Sequence, residues 1–296
     1  MIDLEGKVAL VTGASRGVGA ATAVALAEAG CDVACAARST KAAPRKTPGT
    51  LDETVARVAA TGRRALAVPT NLADDTEVVA MVDRTLEEFG RLDVLVNNAA
   101  ITFVGDLDIP LHRYDLVLQV NLRAPIIAIR QAVPAMQSQG GGSIVNVSSV
   151  AALFPHPSLM AYGISKVGLE RMTVDVARQL QRWHIACNCF RIDVAVASEG
   201  FIANTPGADH SQWEPSEVAA EGIVWMVRQP PEYSGHRESM FALRSREGIM
   251  ASRVAHPATE QPPTELFDGL APLIDSYFEE PYADEPGPGA TGGVRG

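Results

Sequence analysis

Basic residues are in short supply. Lys and Arg number 25 against 35 Asp and Glu in 296 residues, a formal net charge of -10. A chain that holds nucleic acid by neutralising phosphates needs the opposite balance, so no nucleic-acid partner is expected. Long apolar runs are missing as well. No stretch of the sequence reads as a membrane span, and Met1-Ile2-Asp3-Leu4-Glu5 has neither the basic start nor the apolar core of a signal peptide. Cysteine is scarce. Cys31, Cys35, Cys187 and Cys189 all fall in segments that read as buried strands, and the Cys-x-Cys at 187 and 189 has no second pair to complete a zinc site. Small buried thiols, no disulfide, no metal and a cytoplasmic location are the expectation.

What is present is ordinary for a globular α/β protein: 47% apolar and 20% charged residues. The length suits one large α/β domain or two small ones. Val8-Ala9-Leu10-Val11 is an apolar run between Gly6 and Gly13 and predicts a buried parallel strand. It leads into Thr12-Gly13-Ala14-Ser15-Arg16-Gly17-Val18-Gly19 and then an alanine-rich helix to about Ala29. Strand, glycine turn and helix make the first half of a dinucleotide-binding unit: glycines let the backbone approach a pyrophosphate, and the helix N-terminus offers N–H groups. Further strands are expected at 32–37, 65–68, 92–96, 143–147, 185–191 and about 240–242, with helices between them. Asn121 lies inside a mostly helical stretch from Leu111 to about Gln139, where Pro134 predicts a kink.

A second constellation is Tyr162-Gly163-Ile164-Ser165-Lys166. Four-residue spacing puts the phenol and the ammonium on one helix face, where the cation is expected to lower the tyrosine pKa. The glycine spacing G-x-x-x-G-x-G, Asn97-Asn98-Ala99, a serine thirteen residues before the tyrosine, and this Tyr-x-x-x-Lys occur in order. Together they resemble the short-chain dehydrogenase/reductase family over roughly residues 4 to 245.

The resemblance implies a single doubly wound Rossmann domain with a parallel sheet, residues 1–250, and a C-terminal extension, residues 251–296. It implies that Ser149, rather than Ser148, polarises a substrate carbonyl, that Tyr162 exchanges a proton with it, that Lys166 lowers the tyrosine pKa and binds the nicotinamide ribose, and that Asn121 holds a relay water. Gly13, Ser15, Gly17, Val18 and Gly19 would cradle the pyrophosphate. Asn71 and Leu72 would meet the adenine, Asn98 and Ala99 the floor of the site, and Tyr162, Lys166, Ile192 and Val194 the nicotinamide end. The second strand ends in Ala-Ala-Arg38 with no acid to hold a ribose 2′-OH, and Arg16 adds another guanidinium. That favours NADP(H) over NAD(H), and the basic loop with Lys41, Arg45 and Lys46 could close over the adenosine phosphate.

Three departures stand out. Ile192-Asp193 replaces the family's Pro-Gly, Ala100 replaces a glycine, and the glycine pair after the last strand is absent. Asp193 could alter cofactor affinity, bond the substrate or face solvent; Ser198 is a candidate for the carboxamide. Residues 199–215 would form a substrate lid, and Pro215-Ser216-Glu217 a well-capped helix start. Phe103, Phe154, Leu159, Phe201 and Trp213 suggest an apolar pocket, with His156 within reach, or serve as core. The extension carries Leu266, Phe267, Leu270, Leu273, Ile274 and Tyr277 at helical spacing, predicting a helix over about 264–278, followed by a disordered, acidic, Gly/Pro-rich tail. The function implied is interconversion of a carbonyl and a secondary alcohol by hydride transfer on an apolar small molecule. The alternative is a non-catalytic NADP(H)-binding regulatory or assembly protein on the same fold. Family members associate through the helices containing Asn121 and Tyr162, so a homodimer or homotetramer is expected.

Overall fold

The computed structural model describes residues 1–154, 158–205 and 207–255. The expected helix at 264–278, the acidic tail, His156 and Pro206 lie outside the described residues. The seven strands are β1 (Val8–Thr12), β2 (Asp32–Ala37), β3 (Ala65–Pro69), β4 (Val94–Asn97), β5 (Gly142–Ser149), β6 (Ile185–Ile192) and β7 (Arg237–Ser239). Their order is β3-β2-β1-β4-β5-β6-β7, and all six pairings are parallel.

Parallel strands need crossovers, and here they are helical: α1 (Gly17–Glu28), α2 (Leu51–Ala60), α3 (Asp75–Phe89), α4 (Leu111–Leu118), α5 (Ala124–Ser138), α6 (Met160–Leu180), α7 (Glu199–Asn204) and α8 (Ser216–Val227), with α9 (Met240–Glu247) following the last strand. Both sheet faces are covered, so apolar residues follow one another along the central strands, as in Val8–Val11 and Val94–Val96, rather than alternating. Val94 and Val96 face one core with Leu26, Phe190 and Ile223. Leu95 faces the other, with Met81, Ala128 and Ile144. Phe190 is wholly buried, and Gly222 of α8 makes room for it: a Cβ there would come within 2.6 Å of the ring. Burying such a side chain contributes about 2–3 kcal/mol.

Local chemistry sets the helix ends. Thr50 and Glu53 form a reciprocal capping box on α2, and Asp74 accepts from Thr76 N and Glu77 N at the start of α3, which ends on left-handed Gly90. The expected strand at 240–242 is corrected. The strand is Arg237–Ser239, and Met240 opens α9, because Ser239 Oγ accepts from Ala242 N and Asp193 Oδ1 accepts from Phe241 N. The capping expected at Ser216 is also absent: Pro215 holds the cap position of α8 with no side-chain bond. α5 continues through Pro134, and the irregularity falls earlier, as a π turn over Gln119–Arg123. The helical run Leu111–Ser138 is long and apolar enough to cross a bilayer. Here it is a core element, with Val117, Val120, Ala124, Ala128, Ala132 and Met136 buried.

Candidate active site

The motif residues converge at the carboxyl ends of the strands. β1 ends at Thr12, whose hydroxyl donates to Val96 O at 3.3 Å and accepts from Asn98 N and Ala99 N at 3.0 and 3.1 Å. Asn98 Nδ2 returns a bond to Thr12 O at 2.9 Å. The glycine loop therefore sits directly on Asn98-Ala99, too close for larger residues. A Cβ on Gly13 would lie 2.9 Å from Ala99 Cα, and one on Gly19 would lie 2.4 Å from Gly13 O. α1 starts without a side-chain cap and without an acid in its first turn. A helix N-terminus so prepared presents free N–H groups and the positive dipole end, which fits a pyrophosphate. Ser15 and Val18 are buried beside it. Ser198 and Glu199 close over the loop, with Ser198 Cβ 3.0 Å from where a Gly17 Cβ would stand.

Arg16 and Arg38 come together at the end of β2. Arg16 fastens the basic loop: its Nε donates to Pro48 O at 2.6 Å and its Nη2 to Gly49 O at 2.9 Å. Burial lowers its pKa from the ordinary value, Glu199 raises it, and Arg38 lowers it further. Arg38 is exposed, and burial and then Arg45 lower its pKa. Three guanidiniums thus lie near one another at the end of β2. Asn71 Oδ1 accepts from Ala73 N at 3.3 Å, forming a local turn beside buried Leu72.

β5 and α6 hold the acid–base pair. Ser149 bonds the phenol of Tyr162 and also accepts from Ala151 N. Ser148 points the other way, donating to Glu170 Oε1 at 2.8 Å, so Ser149 is the serine facing the tyrosine. Lys166 is 2% exposed. Its Nζ donates to Val147 O at 2.7 Å and lies 5.5 Å from the centre of the Tyr162 ring. The expected lowering of the tyrosine pKa is absent in the protein alone: burial raises it, partly offset by the Ser149 bond. The lysine itself is pushed down to about 8, by burial first, against upward pulls from Cys189 and Glu170. A second positive charge is needed before the phenolate becomes accessible near neutral pH.

Asn121 is fully buried in the π turn. Its Oδ1 accepts from Ile101 N at 2.8 Å, and its Nδ2 donates to Ile101 O at 2.9 Å and to Ser165 Oγ at 3.1 Å. Both Nδ2 hydrogens are engaged, while Oδ1 keeps one acceptor position. Asp193 is also buried and faces neither solvent nor the lid. It anchors α9 through Phe241 N at 2.9 Å, while its Oδ2 has no partner. Ile192 packs on the core and Val194 is buried in it. Ser198 accepts from Phe201 N as the cap of α7. In the lid, Phe201 stacks on Trp213 with ring centres 4.8 Å apart, and His210 meets Trp213 edge-on. Phe103 lies under Arg113, and Phe154 and Leu159 are half-buried.

The network of Ser148, Glu170 and Arg191 was missed in the sequence. Two signals were there: Glu170 lies one turn from Lys166 on the same face, and Arg191 interrupts the apolar strand Cys187–Ile192.

Backbone cradle, buried lysine and serine-bonded tyrosine at one sheet edge define a nicotinamide-dependent oxidoreductase. The family model of short chain dehydrogenases matches residues 7–197. The 7alpha-hydroxysteroid dehydrogenase of Clostridium sardiniense is 37% identical over 196 residues, covering 64% of this chain and 70% of that one. Hydroxysteroid dehydrogenase-like protein 2 of Danio rerio is 30% identical over 256 residues, covering 84% of this chain and 61% of that one. A short chain dehydrogenase from Burkholderia cenocepacia, solved in complex with NADP, is 34% identical with a TM-score of 0.71, covering 80% of this chain and 97% of that one. The chain belongs to the short-chain dehydrogenase/reductase family and is an NAD(P)-dependent enzyme of that class.

Proposed function

We propose that the chain interconverts a carbonyl and a secondary alcohol on an apolar substrate and prefers NADP(H). The observation that carries the reading is the buried Lys166, its Nζ 5.5 Å from the centre of the Tyr162 ring, with Ser149 beside the phenol. When bound, the nicotinamide supplies or accepts the hydride. In reduction, Tyr162 Oη delivers a proton to the carbonyl oxygen while Ser149 Oγ holds that oxygen by a hydrogen bond. In oxidation, Tyr162 takes the proton back. Lys166 contributes its charge beneath the phenol, and Asn121 positions the Ile101 backbone against α6.

The guanidinium group of Arg16, Arg38 and Arg45 supports a 2′-phosphate, as does the NADP in the Burkholderia relative. The stacked lid aromatics and the steroid named in the Clostridium relative support an apolar substrate. Apolar side chains exposed on α5 and α6, Ile126, Ile164 and Val167, support association into a homodimer or homotetramer. Asp193, anchored on α9, lends no support to a non-catalytic binder.

Turnover of apolar ketones with NADPH and NADH tests the reading. Tyr162→Phe is expected to lower turnover by about 10²–10⁴-fold while NADPH still binds. Retained turnover would remove the tyrosine from the chemistry. Arg38→Ala is expected to reduce the NADPH-over-NADH preference by about tenfold, one charge-assisted phosphate contact; an unchanged ratio would remove Arg38 from the cofactor site.

A further inference from the structure

Three consecutive residues of β5 meet three successive turns of α6. Ser149 bonds Tyr162, Val147 O accepts from Lys166, and Ser148 donates to Glu170. The first two contacts belong to the acid–base pair. The third does not touch the reacting groups, yet its carboxylate is 4% exposed and bonded on both oxygens. Arg191 Nε donates to Glu170 Oε1 at 2.8 Å, and Arg191 Nη2 donates to Oε2 at 2.5 Å. Arg191 comes from β6, so one carboxylate ties β5, β6 and α6 together immediately behind Lys166.

A buried ion pair is weak as a stabiliser, because desolvation offsets the attraction and apolar residues of the same size do as well. Position gives this one a use. We propose that Glu170, clamped by Arg191 and Ser148, is a positioning residue that fixes the depth and the charge of the Lys166 ammonium. Lys166 and Glu170 are four residues apart on one helix face, where side chains of successive turns are neighbours.

The groups around the ammonium are few. Tyr162 lies on its own helix, with the ring 5.5 Å away, and Glu170 lies one turn on. β6 contributes Cys189, with Arg191 beyond Glu170 and Asp193 acting on Arg191 in turn. β5 contributes the Val147 carbonyl and Ser149. The π turn packed against α6 brings only the amide of Asn121, bonded to Ser165. The Cys189 thiol is held well above its ordinary value, by burial first and Glu170 second, so it is neutral at physiological pH. That leaves Glu170 as the negative charge facing Lys166. Burial pushes the lysine toward neutrality and Glu170 holds it back.

The proposal rests on the acid–base role given to Tyr162 and Lys166, so its first readout does not use activity. The chain has four lysines, Lys7, Lys41, Lys46 and Lys166. Carbon-13 labelling at lysine Cε gives a spectrum in which the Lys166 signal is assigned by its loss in Lys166→Met. The wild-type midpoint is expected near 8. Glu170→Gln, which keeps the Arg191 charge, is expected to lower it by about one pH unit. The double variant Glu170→Leu with Arg191→Met is expected to fall between the two. If Glu170→Gln fails to fold, the double variant carries the test, since apolar residues replace buried pairs without loss of fold. A purely structural Glu170 would lower the melting temperature and leave the midpoint in place, and that result overturns the proposal. The pH profile of kcat is the second readout and should move in the same direction. A midpoint that moves while kcat does not upholds the Glu170–Lys166 coupling and overturns the acid–base role of Lys166 instead.

Discussion

The two sides of the sheet edge are built from different materials. At the carboxyl ends of β1 and β4 the buried polar groups are neutral. Thr12 and Asn98 stitch the glycine loop to the floor, and Asn97 Nδ2 bonds Asn146 Oδ1 at 2.9 Å, with Asn146 Nδ2 bonding Thr173 Oγ1 at 2.9 Å. At the carboxyl ends of β6 and β7 carboxylates take over. Glu170 pairs with Arg191, Asp193 holds α9, Glu214 lies 2.9 Å from Arg244, and Glu238 lies 2.9 Å from Arg246. The contrast follows from what each side must accommodate. An anion entering at α1 meets no fixed carboxylate in that helix's first turn, whereas the side that carries the lid and the last strand can use charge to pin short elements. Neutral bonds contribute about 1 kcal/mol each and are indifferent to pH. Buried carboxylates make stability depend on pH.

Substitutions can break or sharpen this contrast. The largest effect is expected from Gly19→Ala on the neutral side. A Cβ 2.4 Å from Gly13 O forces the loop off α1, costing about 1–3 kcal/mol as overpacking does. Cofactor affinity should fall by about 100-fold, read by fluorescence titration with NADPH; unchanged affinity would mean that the cradle is not where the cofactor phosphates sit. Thr12→Val comes next. It leaves Asn98 N and Ala99 N without their acceptor and should cost about 2 kcal/mol. Urea unfolding at pH 5 and pH 8 should give the same loss, because no charge is involved.

The smallest effect belongs to Asp193→Asn, and its sign depends on pH. Burial holds the Asp193 carboxyl above the usual carboxylate range, against the Ser239 and Phe241 bonds and the Arg191 charge. An acid with a raised native pKa costs stability as pH climbs from its unfolded value, about 3.9, through its native value. Below that window the cost vanishes. Asparagine keeps an acceptor for Phe241 N and carries no charge. The variant should match wild type near pH 3 and exceed it at pH 7, measured by urea unfolding. A loss at pH 7 would show that the carboxylate charge itself is needed to hold α9.

Legibility in the sequence followed the same division. The neutral side was readable because its requirements are steric and local: Gly13, Gly17 and Gly19 announce a backbone that must come close, and Asn98-Ala99 follows an apolar strand. Ser149, Tyr162 and Lys166 were readable through the family resemblance, which sets a serine thirteen residues before the tyrosine. The β6–β7 side was not, because its ties cross long stretches of chain. Nothing near Asp193 in sequence says that its partner is Phe241, and Met240-Phe241-Ala242 looks like a strand until Ser239 and Asp193 cap it as a helix. The raised pKa of Tyr162 in the protein alone was hidden for a related reason: spacing reports the lysine, while burial of the phenol belongs to the packed molecule.

The π turn at Gln119–Arg123 gives the chain a reading frame. Each residue in a helix advances the face by about 100°. Rewinding this turn as regular helix with the same number of residues would rotate everything after it. Ala128, Ala132 and Met136 would leave the sheet, and Ile126 and its exposed neighbours would turn toward it. Regular geometry is therefore closed to this segment by residues several turns away, and Asn121 keeps its place because the downstream core fixes the count.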